Sequence, residues 1–344
     1  MVGGERGAGA LRAGVLNLQT ASALIEVSGL TKFYGQRAAV QDLTFEVPKG
    51  QVLGFLGPNG AGKSTTMRIL TGYIGATSGR AKVAGFDVFE DSIEVRRRVG
   101  YLPETAPLYN EMRVRGFLEL MCSLRGVPRA RRRARVDHAI EACGLEARRN
   151  EVIGRLSRGL RQRVGLAQSI VHQPDVLILD EPTAGLDPAQ TRETRDLIRD
   201  LGRRHTVILS SHILSEVSAT CQRVLIINEG KLVGDGSPSQ LAERLARGRG
   251  QEVEMTLTLA GDADAVEAGL HRVGGVDSVA VSGLGDDLWR VVVTGSGSHL
   301  REDLTRAAVE AGAGVREVQA KRVSLEDVFL SLTADDEAGE GEKA

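Results

Sequence analysis

Short apolar runs alternate with amphipathic segments between residues 24 and 236. Val52–Leu56, Val176–Leu179 and Thr206–Ser210 are dominated by residues typical of strands that are buried on both faces. Helical spacing returns between such runs, so the pattern predicts an α/β fold with a mostly parallel sheet and helices on both faces. Other predicted strands are Leu24–Val27, Ala39–Val47, Thr77–Val83, Val224–Asn228 and Lys231–Asp235, and helices are predicted from Thr65, within residues 113–149 and from Ala189.

The pattern changes after Gly236. Pro238 lies in the first turn of a short predicted helix, and residues 237–250 are interpreted as this helix followed by a linker. Residues 251–333 show strands and helices in the order β-α-β-β-α-β, which predicts a small ferredoxin-like α+β domain. A last helix is predicted at Val328–Leu332, opened by an N-cap at Ser324.

Composition limits the classes of function. The chain has 344 residues, of which 42% are hydrophobic, and this length favours two domains. Because the net charge is -1, nothing attracts the whole chain to nucleic acid or to an anionic membrane, and no nucleic-acid partner is expected. Cys122, Cys143 and Cys221 lack metal-ligand spacing, which indicates free thiols in a reducing cytosol.

The ends of the chain are predicted to lie outside the folded domains. Residues 1–23 are rich in Gly and Ala, and they have no continuous apolar core before a clear cleavage site. We therefore expect a disordered extension rather than a signal peptide. Residues 334–344 form an acidic tail that is also expected to be disordered. No apolar run approaches the ~18–20 residues needed to span a bilayer.

Gly57–Ser64 matches the phosphate-binding pattern G-x-x-x-x-G-K-[ST] at every fixed position, between a predicted strand and a predicted helix. The glycines allow backbone N–H groups to surround a phosphate, and the helix N-terminus adds partial positive charge. We expect a nucleoside triphosphate here, with Lys63 at the β- and γ-phosphates and the Ser64 hydroxyl on Mg²⁺. The predicted phosphate contacts are Gly57, Pro58, Asn59, Gly60, Ala61, Gly62, Lys63, Ser64 and Thr65.

Two carboxylates come directly after the predicted strand Val176–Leu179. Because the carboxyl ends of parallel strands meet at one edge of a sheet, Asp180 and Glu181 are expected beside the phosphate-binding loop. Asp180 is predicted to hold Mg²⁺ through its water shell. Glu181 is predicted to polarise the water that attacks the γ-phosphate. A strand that merely ends in a polar turn would look similar, but the phosphate-binding loop favours the catalytic interpretation.

Further motifs occur in a fixed order. Leu156–Gln162 resembles the signature of ATP-binding cassette (ABC) ATPases, Ala184–Asp187 resembles the loop after their catalytic carboxylate, and Ser210–His212 resembles their switch histidine. Tyr34 stands where that family stacks an aromatic ring on adenine. The resemblance covers residues 24–236.

This resemblance implies an architecture and partners. The fold would be that of a P-loop NTPase with a helical subdomain at about residues 105–155. Two copies of the chain would close head to tail over two ATP molecules with Mg²⁺ and drive a separate transmembrane permease. The chain would then be cytoplasmic and peripheral on the inner face of the cell membrane, held there through the permease.

The resemblance also implies roles for single residues. Ser157 and Gly159 open a helix, and they would cap the γ-phosphate that the other subunit binds. His212 would hydrogen-bond the γ-phosphate and hold the attacking water. The implied catalytic residues are Lys63, Glu181 and His212, and the implied nucleotide contacts outside the phosphate-binding loop are Tyr34, Glu104, Ser157, Gly159 and Asp187.

The chain departs from the family pattern at three positions. Glu104 replaces a glutamine that contacts Mg²⁺ and the attacking water, and its carboxylate adds negative charge near the phosphates. The expected metal ligands are therefore Ser64, Asp180 and Glu104. Arg158 replaces the first signature glycine, and Leu160 replaces the glutamine after the second. For the Arg158 side chain, pairing with a phosphate, exposure to solvent and a structural role all remain open.

Tyr101–Glu104 and Leu108–Tyr109, together with Leu160, are most similar to the subfamily that serves ABC-2, export-type permeases, including drug-resistance and gliding-motility systems. In ABC ATPases the helix-rich region docks a coupling helix of the permease. The basic run Arg129–Arg135 within this region is interpreted as a solvated helix face, because no aromatic residues interleave to stack bases. Contact with RNA or acidic lipid is the alternative.

The second predicted domain has no convergent set of His, Cys or carboxylate residues. This favours a structural or dimer-contact appendage over a regulatory small-molecule site. Its Ser-Leu-Glu-Asp-Val-Phe segment resembles the end of export-subfamily proteins, and the domain is distantly similar to the regulatory domain of amino-acid importers.

The leading prediction is the ATP-hydrolysing motor subunit of an ABC exporter. An ABC ATPase that acts on ribosomes is an alternative, although such proteins usually carry two cassettes in one chain. A DNA-repair ATPase would have a long heptad insertion between Ser64 and Leu156, which is missing. A non-catalytic ATP sensor is disfavoured by Glu181. The transported substrate is not encoded in this chain, since its contacts lie in the permease.

Overall fold

The computed structural model describes residues 23–241, 251–259, 263–285, 287–297 and 299–321. The two predicted terminal extensions, apart from Ala23, and the predicted last helix lie outside these residues. Ala23, which the prediction placed in the N-terminal extension, is the first residue of a strand. None of the described helices is long and apolar enough to cross a membrane.

Strands and helices alternate through the first part of the described chain. Its strands are β1 (Ala23–Tyr34), β2 (Arg37–Pro48), β3 (Val52–Leu56), β4 (Ser78–Val83), β5 (Phe86–Asp87), β6 (Val99–Leu102), β7 (Val176–Asp180), β8 (Thr206–Ser211), β9 (Arg223–Asn228) and β10 (Lys231–Gly236). Its helices are α1 (Lys63–Leu70), α2 (Ser92–Arg98), α3 (Val114–Leu124), α4 (Arg129–Ala142), α5 (Arg158–Ile170), α6 (Pro188–Gly202) and α7 (Leu214–Thr220).

A mixed sheet in the order β10-β9-β3-β8-β7-β6 forms the centre of this part. Its strands run parallel, apart from the antiparallel pair β9 and β10. Leu56 pairs with Ser211, and Asp180 pairs with Ser210, so β3, β7 and β8 end at the same edge. This confirms the predicted α/β fold and sets the position of the site.

The prediction did not separate the early strands from the parallel sheet, and the structure does. β2, β1, β4 and β5 form their own antiparallel sheet. β1 and β2 are joined by a tight turn at Gly35 with φ 60°, and so short a connection can only pair strands antiparallel. This sheet covers one face of the central sheet together with α1, where Phe45 packs on Phe55 with ring centroids 5.8 Å apart. That face is therefore not covered by helices alone.

The opposite face of the central sheet is covered by helices. Buried side chains of α3, α4 and α5, such as Phe117, Ile140 and Val164, form one apolar cluster with Leu56 and Leu179 of the sheet. Helix α5 begins after Ser157, whose Oγ accepts from the N–H of Leu160 at 3.3 Å. Helix α6 begins after Asp187, whose Oδ1 accepts from the N–H of Gln190 at 2.9 Å. Both are N-cap hydrogen bonds that satisfy free donors of the first turn.

The second part of the described chain has the predicted element order. Its elements are β11 (Gln251–Leu259), α8 (Ala263–His271), β12 (Val276–Gly285), β13 (Leu288–Gly295), α9 (Leu300–Glu310) and β14 (Ala313–Lys321). The strands form an antiparallel sheet in the order β12-β13-β11-β14. Val253, Met255 and Leu257 alternate along β11 and are buried with Leu270 and Leu304 of the helices. This confirms the ferredoxin-like arrangement.

Gly100 of β6 lies where helix α5 packs closely on the central sheet. A Cβ at this position would lie 2.0 Å from the carbonyl oxygen of Ser169 in α5 and 2.7 Å from Cδ2 of Leu177. We expect Gly100→Ala to lower the free energy of unfolding by about 1–3 kcal/mol, because neither neighbour is a freely moving side-chain end. Urea unfolding measures this.

Gly116→Ala in α3 is the matched control. A Cβ there would meet only Cε of Met112, at 3.9 Å. Alanine is the better helix former, so this variant should raise the free energy of unfolding by about 0.5–1 kcal/mol. Equal destabilisation by both substitutions would contradict the packing argument.

His172 makes stability depend on pH. Burial, with a smaller contribution from the Arg125 charge, lowers the pKa of His172 to about 4, while its Nε2–H donates to the carbonyl of Val99 at 3.2 Å. The unfolded chain takes up a proton at about pH 6.5, before the folded chain does. Stability should therefore fall as the pH decreases from about 6.5 to about 4.

His172→Gln should flatten this decline, because a glutamine does not titrate. The decline should not vanish, since burial also lowers the pKa of His205. Urea unfolding of both proteins across this range measures the difference, which we expect to be on the order of 2 kcal/mol at the acidic end. An unchanged slope in the variant would exclude His172 as the titrating group.

Candidate nucleotide-binding site

The loop Gly57–Ser64 connects β3 to α1 in a conformation that requires glycine at two positions. A Cβ on Gly57 would lie 2.3 Å from the carbonyl oxygen of Ile227. A Cβ on Gly62 would lie 2.3 Å from the carbonyl oxygen of Ala39, and Gly62 has φ 102°. Any side chain at either residue would displace the loop from the sheet. Helix α1 begins at Lys63, two residues before the predicted start, so its partial positive charge lies at the loop itself.

The ammonium group of Lys63 is buried at the centre of this loop, with 5% of the residue exposed. Its Nζ donates to the carbonyl oxygens of Gly57 at 2.8 Å and Pro58 at 3.1 Å. Nζ also lies 3.5 Å from Oε1 of Glu181. A buried cation needs such partners, because desolvation otherwise disfavours its charge. The loop and the end of β7 are thus linked through one side chain.

Asp180 accepts hydrogen bonds from two hydroxyl groups. Its Oδ1 lies 3.1 Å from Oγ of Ser64 and 2.6 Å from Oγ of Ser210. The Ser210 Oγ also accepts from the backbone N–H of Glu181 at 3.0 Å. The sequence prediction brought Ser64 and Asp180 together, and the structure does so. It gave no role to Ser210, whose only sequence signal is its place two residues before His212.

Glu181 lies between Lys63 and His212. Its Oε2 accepts from Nδ1 of His212 at 2.9 Å, while Oε1 is buried and makes no hydrogen bond with any described residue. Only 7% of Glu181 is exposed. A buried carboxylate oxygen without a hydrogen-bond donor can still accept a proton, as a general base must. The arrangement therefore suits the predicted role.

A third buried carboxylate, after Asp180 and Glu181, anchors the segments around Glu181 and His212. Oε2 of Glu216 in α7 accepts from Oγ1 of Thr183 at 2.5 Å and from Oγ of Ser211 at 3.2 Å. Sequence reasoning missed this residue. An acidic residue among buried positions of α7, four residues after His212, was the available signal.

Most of the predicted contacts line one cavity of about 640 Å³. Arg37, Ala39 and Ala184 line it too, and the prediction did not include them. Gly57, Pro58, Ala61 and Asp180 lie behind this wall, where they support Lys63 and Ser64. The predicted residues that line the cavity are Tyr34, Asn59, Gly60, Gly62, Lys63, Ser64, Thr65, Glu104, Glu181 and His212.

Besides the four residues behind the wall, three further predicted contacts do not line this cavity. Ser157 and Gly159 lie at the start of α5, and Asp187 is the N-cap of α6. Gly159 packs on α6, because a Cβ there would lie 2.6 Å from Oε1 of Gln190. Within one chain these residues are therefore placed away from the phosphate-binding loop.

Tyr34 and Glu104 form exposed parts of the cavity wall. Half of Tyr34 is exposed, and Nζ of Lys32 lies 5.4 Å from the centre of its ring. The ring is thus accessible for stacking, which stays a prediction. Glu104 is exposed, and no hydrogen bond or ion pair joins its carboxylate to another described residue.

The side chains near Ser64 fit a magnesium ion. They offer hard oxygen atoms, the hydroxyl of Ser64 and the carboxylate of Asp180, 3.1 Å apart. Nowhere in the described parts of the chain do three or more His, Cys, Asp or Glu side chains gather in a way that could hold a metal. Mg²⁺ is usually held by one or two carboxylates together with substrate phosphates and water, rather than by a complete protein cage.

Comparison with known proteins points to one family. A family model described as ABC transporter matches residues 40–184. The chain is 35% identical over 320 residues to a daunorubicin resistance ATP-binding protein of Streptomyces coeruleorubidus, an alignment that covers 92% of this chain and 98% of that protein. It is 33% identical over 319 residues to a bacitracin transport ATP-binding protein of Bacillus licheniformis, covering 90% and 97%.

A solved structure supports the same assignment. The protein cbiO1 from Clostridium perfringens, part of the ABC transporter complex cbiONQ, is 26% identical and has a TM-score of 0.59. The similar region covers 65% of this chain and 95% of that chain. The fold, the phosphate-binding loop and the relatives agree, and the chain belongs to the ATP-binding proteins of ABC transporters, a family of ATPases, with similarity to its drug-resistance, export-type members.

Proposed function

We propose that this chain hydrolyses Mg-ATP as the motor subunit of an ABC exporter, as a head-to-tail dimer bound to a separate ABC-2-type permease. The proposal of ATP hydrolysis rests on the convergence of Lys63, Glu181 and His212 on one cavity. The chain would lie at the inner face of the cell membrane, held there through the permease.

Each of these side chains has a chemical task in the proposed reaction. Glu181 accepts the proton of the attacking water through Oε1, which makes no hydrogen bond to a described residue and lies 3.5 Å from Nζ of Lys63, and His212 fixes the carboxylate from the other oxygen. Lys63 and the first N–H groups of α1 stabilise negative charge on the phosphoryl oxygens. Ser64 and Asp180 would hold Mg²⁺, which supplies further positive charge to the phosphates when bound.

The dimer is supported by the location of the signature residues. Ser157 and Gly159 present a hydroxyl and an N–H group at a helix start, but they do not line the nucleotide cavity of their own chain. A second copy placed head to tail would bring its α5 to this cavity and complete it. A solitary chain would have half of a site.

Export is supported by the relatives rather than by the cavity. One relative is named for resistance to daunorubicin and another for transport of bacitracin, and the alignments cover nearly all of both proteins. No described helix of this chain can span a bilayer, so a permease would supply the transport path. Exporting a toxic compound is one way to confer resistance.

Glu181→Gln tests the general base. We expect ATP turnover to fall at least about 100-fold, because the amide cannot accept the proton, while ATP still binds through Lys63 and the loop. Steady-state phosphate release and equilibrium ATP binding measure the two effects. Glu229→Gln is the matched control, since Glu229 is exposed and shares the left-handed backbone of Glu181, with φ 45° against 48°. Full ATP turnover by Glu181→Gln would exclude this role.

Ser157→Asp tests the shared site. Aspartate is as good an N-cap as serine, so α5 should remain intact, but its charge would repel the γ-phosphate of the other chain. In a Glu181→Gln background, which should hold ATP-bound dimers, we expect Ser157→Asp to abolish ATP-dependent dimerisation without weakening ATP binding to the single chain. Size-exclusion chromatography with and without Mg-ATP measures this.

Ser92→Asp, at the start of α2, is the control for this experiment. It also places an acid in the first turn of a helix, where negative charge is tolerated. In the Glu181→Gln background, Ser92→Asp should still dimerise in the presence of Mg-ATP. If Ser157→Asp dimerised equally well, the signature residues would not contact the partner's ATP.

A further inference from the structure

Arg158, the first residue of α5, makes a specific contact within its own chain. Its Nη2 donates to the carbonyl oxygen of Ala184 at 2.9 Å. Its guanidinium also packs on Gly185, where a Cβ would lie 2.3–2.5 Å from Nη2, Cζ and Nη1. Arg158 is exposed to solvent, but its guanidinium is held against the loop of Ala184 and Gly185 and does not line the nucleotide cavity of its own chain.

Helix α5 holds the same loop at a second point. Gln162, one helical turn after Arg158, donates its Nε2 to the carbonyl oxygen of Pro182 at 2.8 Å. Two side-chain donors on one face of α5 therefore hold carbonyls on either side of Thr183. This loop, residues 182–187, connects Glu181 to α6.

The backbone conformation of Glu181 depends on this loop. Glu181 has φ 48°, a left-handed conformation that non-glycine residues rarely adopt and that the surrounding structure must hold. Its carbonyl oxygen accepts from the N–H of Ala184 at 3.1 Å. The contact of Arg158 with Ala184 thus lies one hydrogen bond away from the predicted base.

Arg158 and Glu104 border the same space. Arg158, Ala184 and Glu104 line a second cavity of about 630 Å³, and Ala184 and Glu104 also line the nucleotide cavity. Glu104 and Arg158 thus carry opposite charges beside one cavity. Each of the two replaces a residue that is neutral in the family pattern, and their charges are opposite.

We propose that Arg158 is a positioning residue, which holds Ala184 and Gly185 and thereby the backbone of Glu181 from helix α5 of the same chain. Glycine, the usual family residue at this position, has no side chain for such a contact. The proposal rests on the proposed ATP hydrolysis at Glu181. Its partner is a loop of its own chain, not a phosphate of the other subunit.

Arg158→Ala tests the kinetic consequence. We expect kcat for ATP hydrolysis to fall about tenfold with KM for ATP unchanged, because the base is displaced while the phosphate-binding loop is intact. Arg158→Gln, which keeps a planar N–H donor, should recover part of kcat. Arg155→Ala removes an exposed arginine three residues earlier and should leave kcat unchanged.

Hydrogen exchange gives a measurement that is independent of catalysis. Without nucleotide, Arg158→Ala should speed amide exchange within residues 184–186, while α1 exchanges as in the parent protein. If the wild-type chain hydrolysed no ATP, the proposed function would fail, and faster exchange would still support the contact. If the wild type hydrolysed ATP and Arg158→Ala changed neither kcat nor exchange, the positioning role would be overturned.

Gly185→Ala and Arg158→Ala together form a double-mutant cycle. The Cβ added at Gly185 would expel the guanidinium, so Gly185→Ala should lose kcat as Arg158→Ala does, and the double variant should lose little more. Gly126→Ala is the matched control, because Gly126 has φ 73° against 68° at Gly185 and open space around its Cβ. It should keep wild-type kcat. If the two losses of kcat were strictly additive in the double variant, the contact between Arg158 and Gly185 would not be their cause.

Discussion

The parallel register of β3, β8 and β7 is the constraint on which the site depends. Pairing of Asp180 with Ser210 and of Leu56 with Ser211 brings three strand ends to one edge. The hydrogen bond of 2.6 Å from Ser210 to Asp180 then joins two of these ends directly. Since side chains alternate along a strand, a slip of one residue would turn Asp180 away from Ser64 and bury an apolar residue in its place.

Those parts of the site that are contiguous in sequence were predictable. The loop from Gly57 to Ser64 carries its own geometry, because the glycines and the adjoining helix start are local features. Asp180 and Glu181 were predictable because they end a fully apolar strand. The ferredoxin-like order was predictable for a similar reason, since its strands and helices differ clearly in period.

Contacts between distant residues were not predictable. Nothing near Glu216 in the sequence indicates that it accepts from Thr183, 33 residues earlier. Strand β6 has four residues, too few for a periodic pattern. The early antiparallel sheet was not separated from the central one, because an alternating strand shows which face is buried but not which strand it pairs with. The contact of Arg158 with Ala184, 26 residues later, is non-local in the same way.

Ala184 and Glu104 border both the nucleotide cavity and the cavity lined by Arg158. Ala184 therefore forms part of the partition between the nucleotide space and the space around helix α5. Closely packed atoms cannot yield to one neighbour without moving against the other. A displacement of Ala184 therefore changes both spaces, and communication between the two needs no long chain of intermediates. A larger side chain in this partition would narrow both spaces at once.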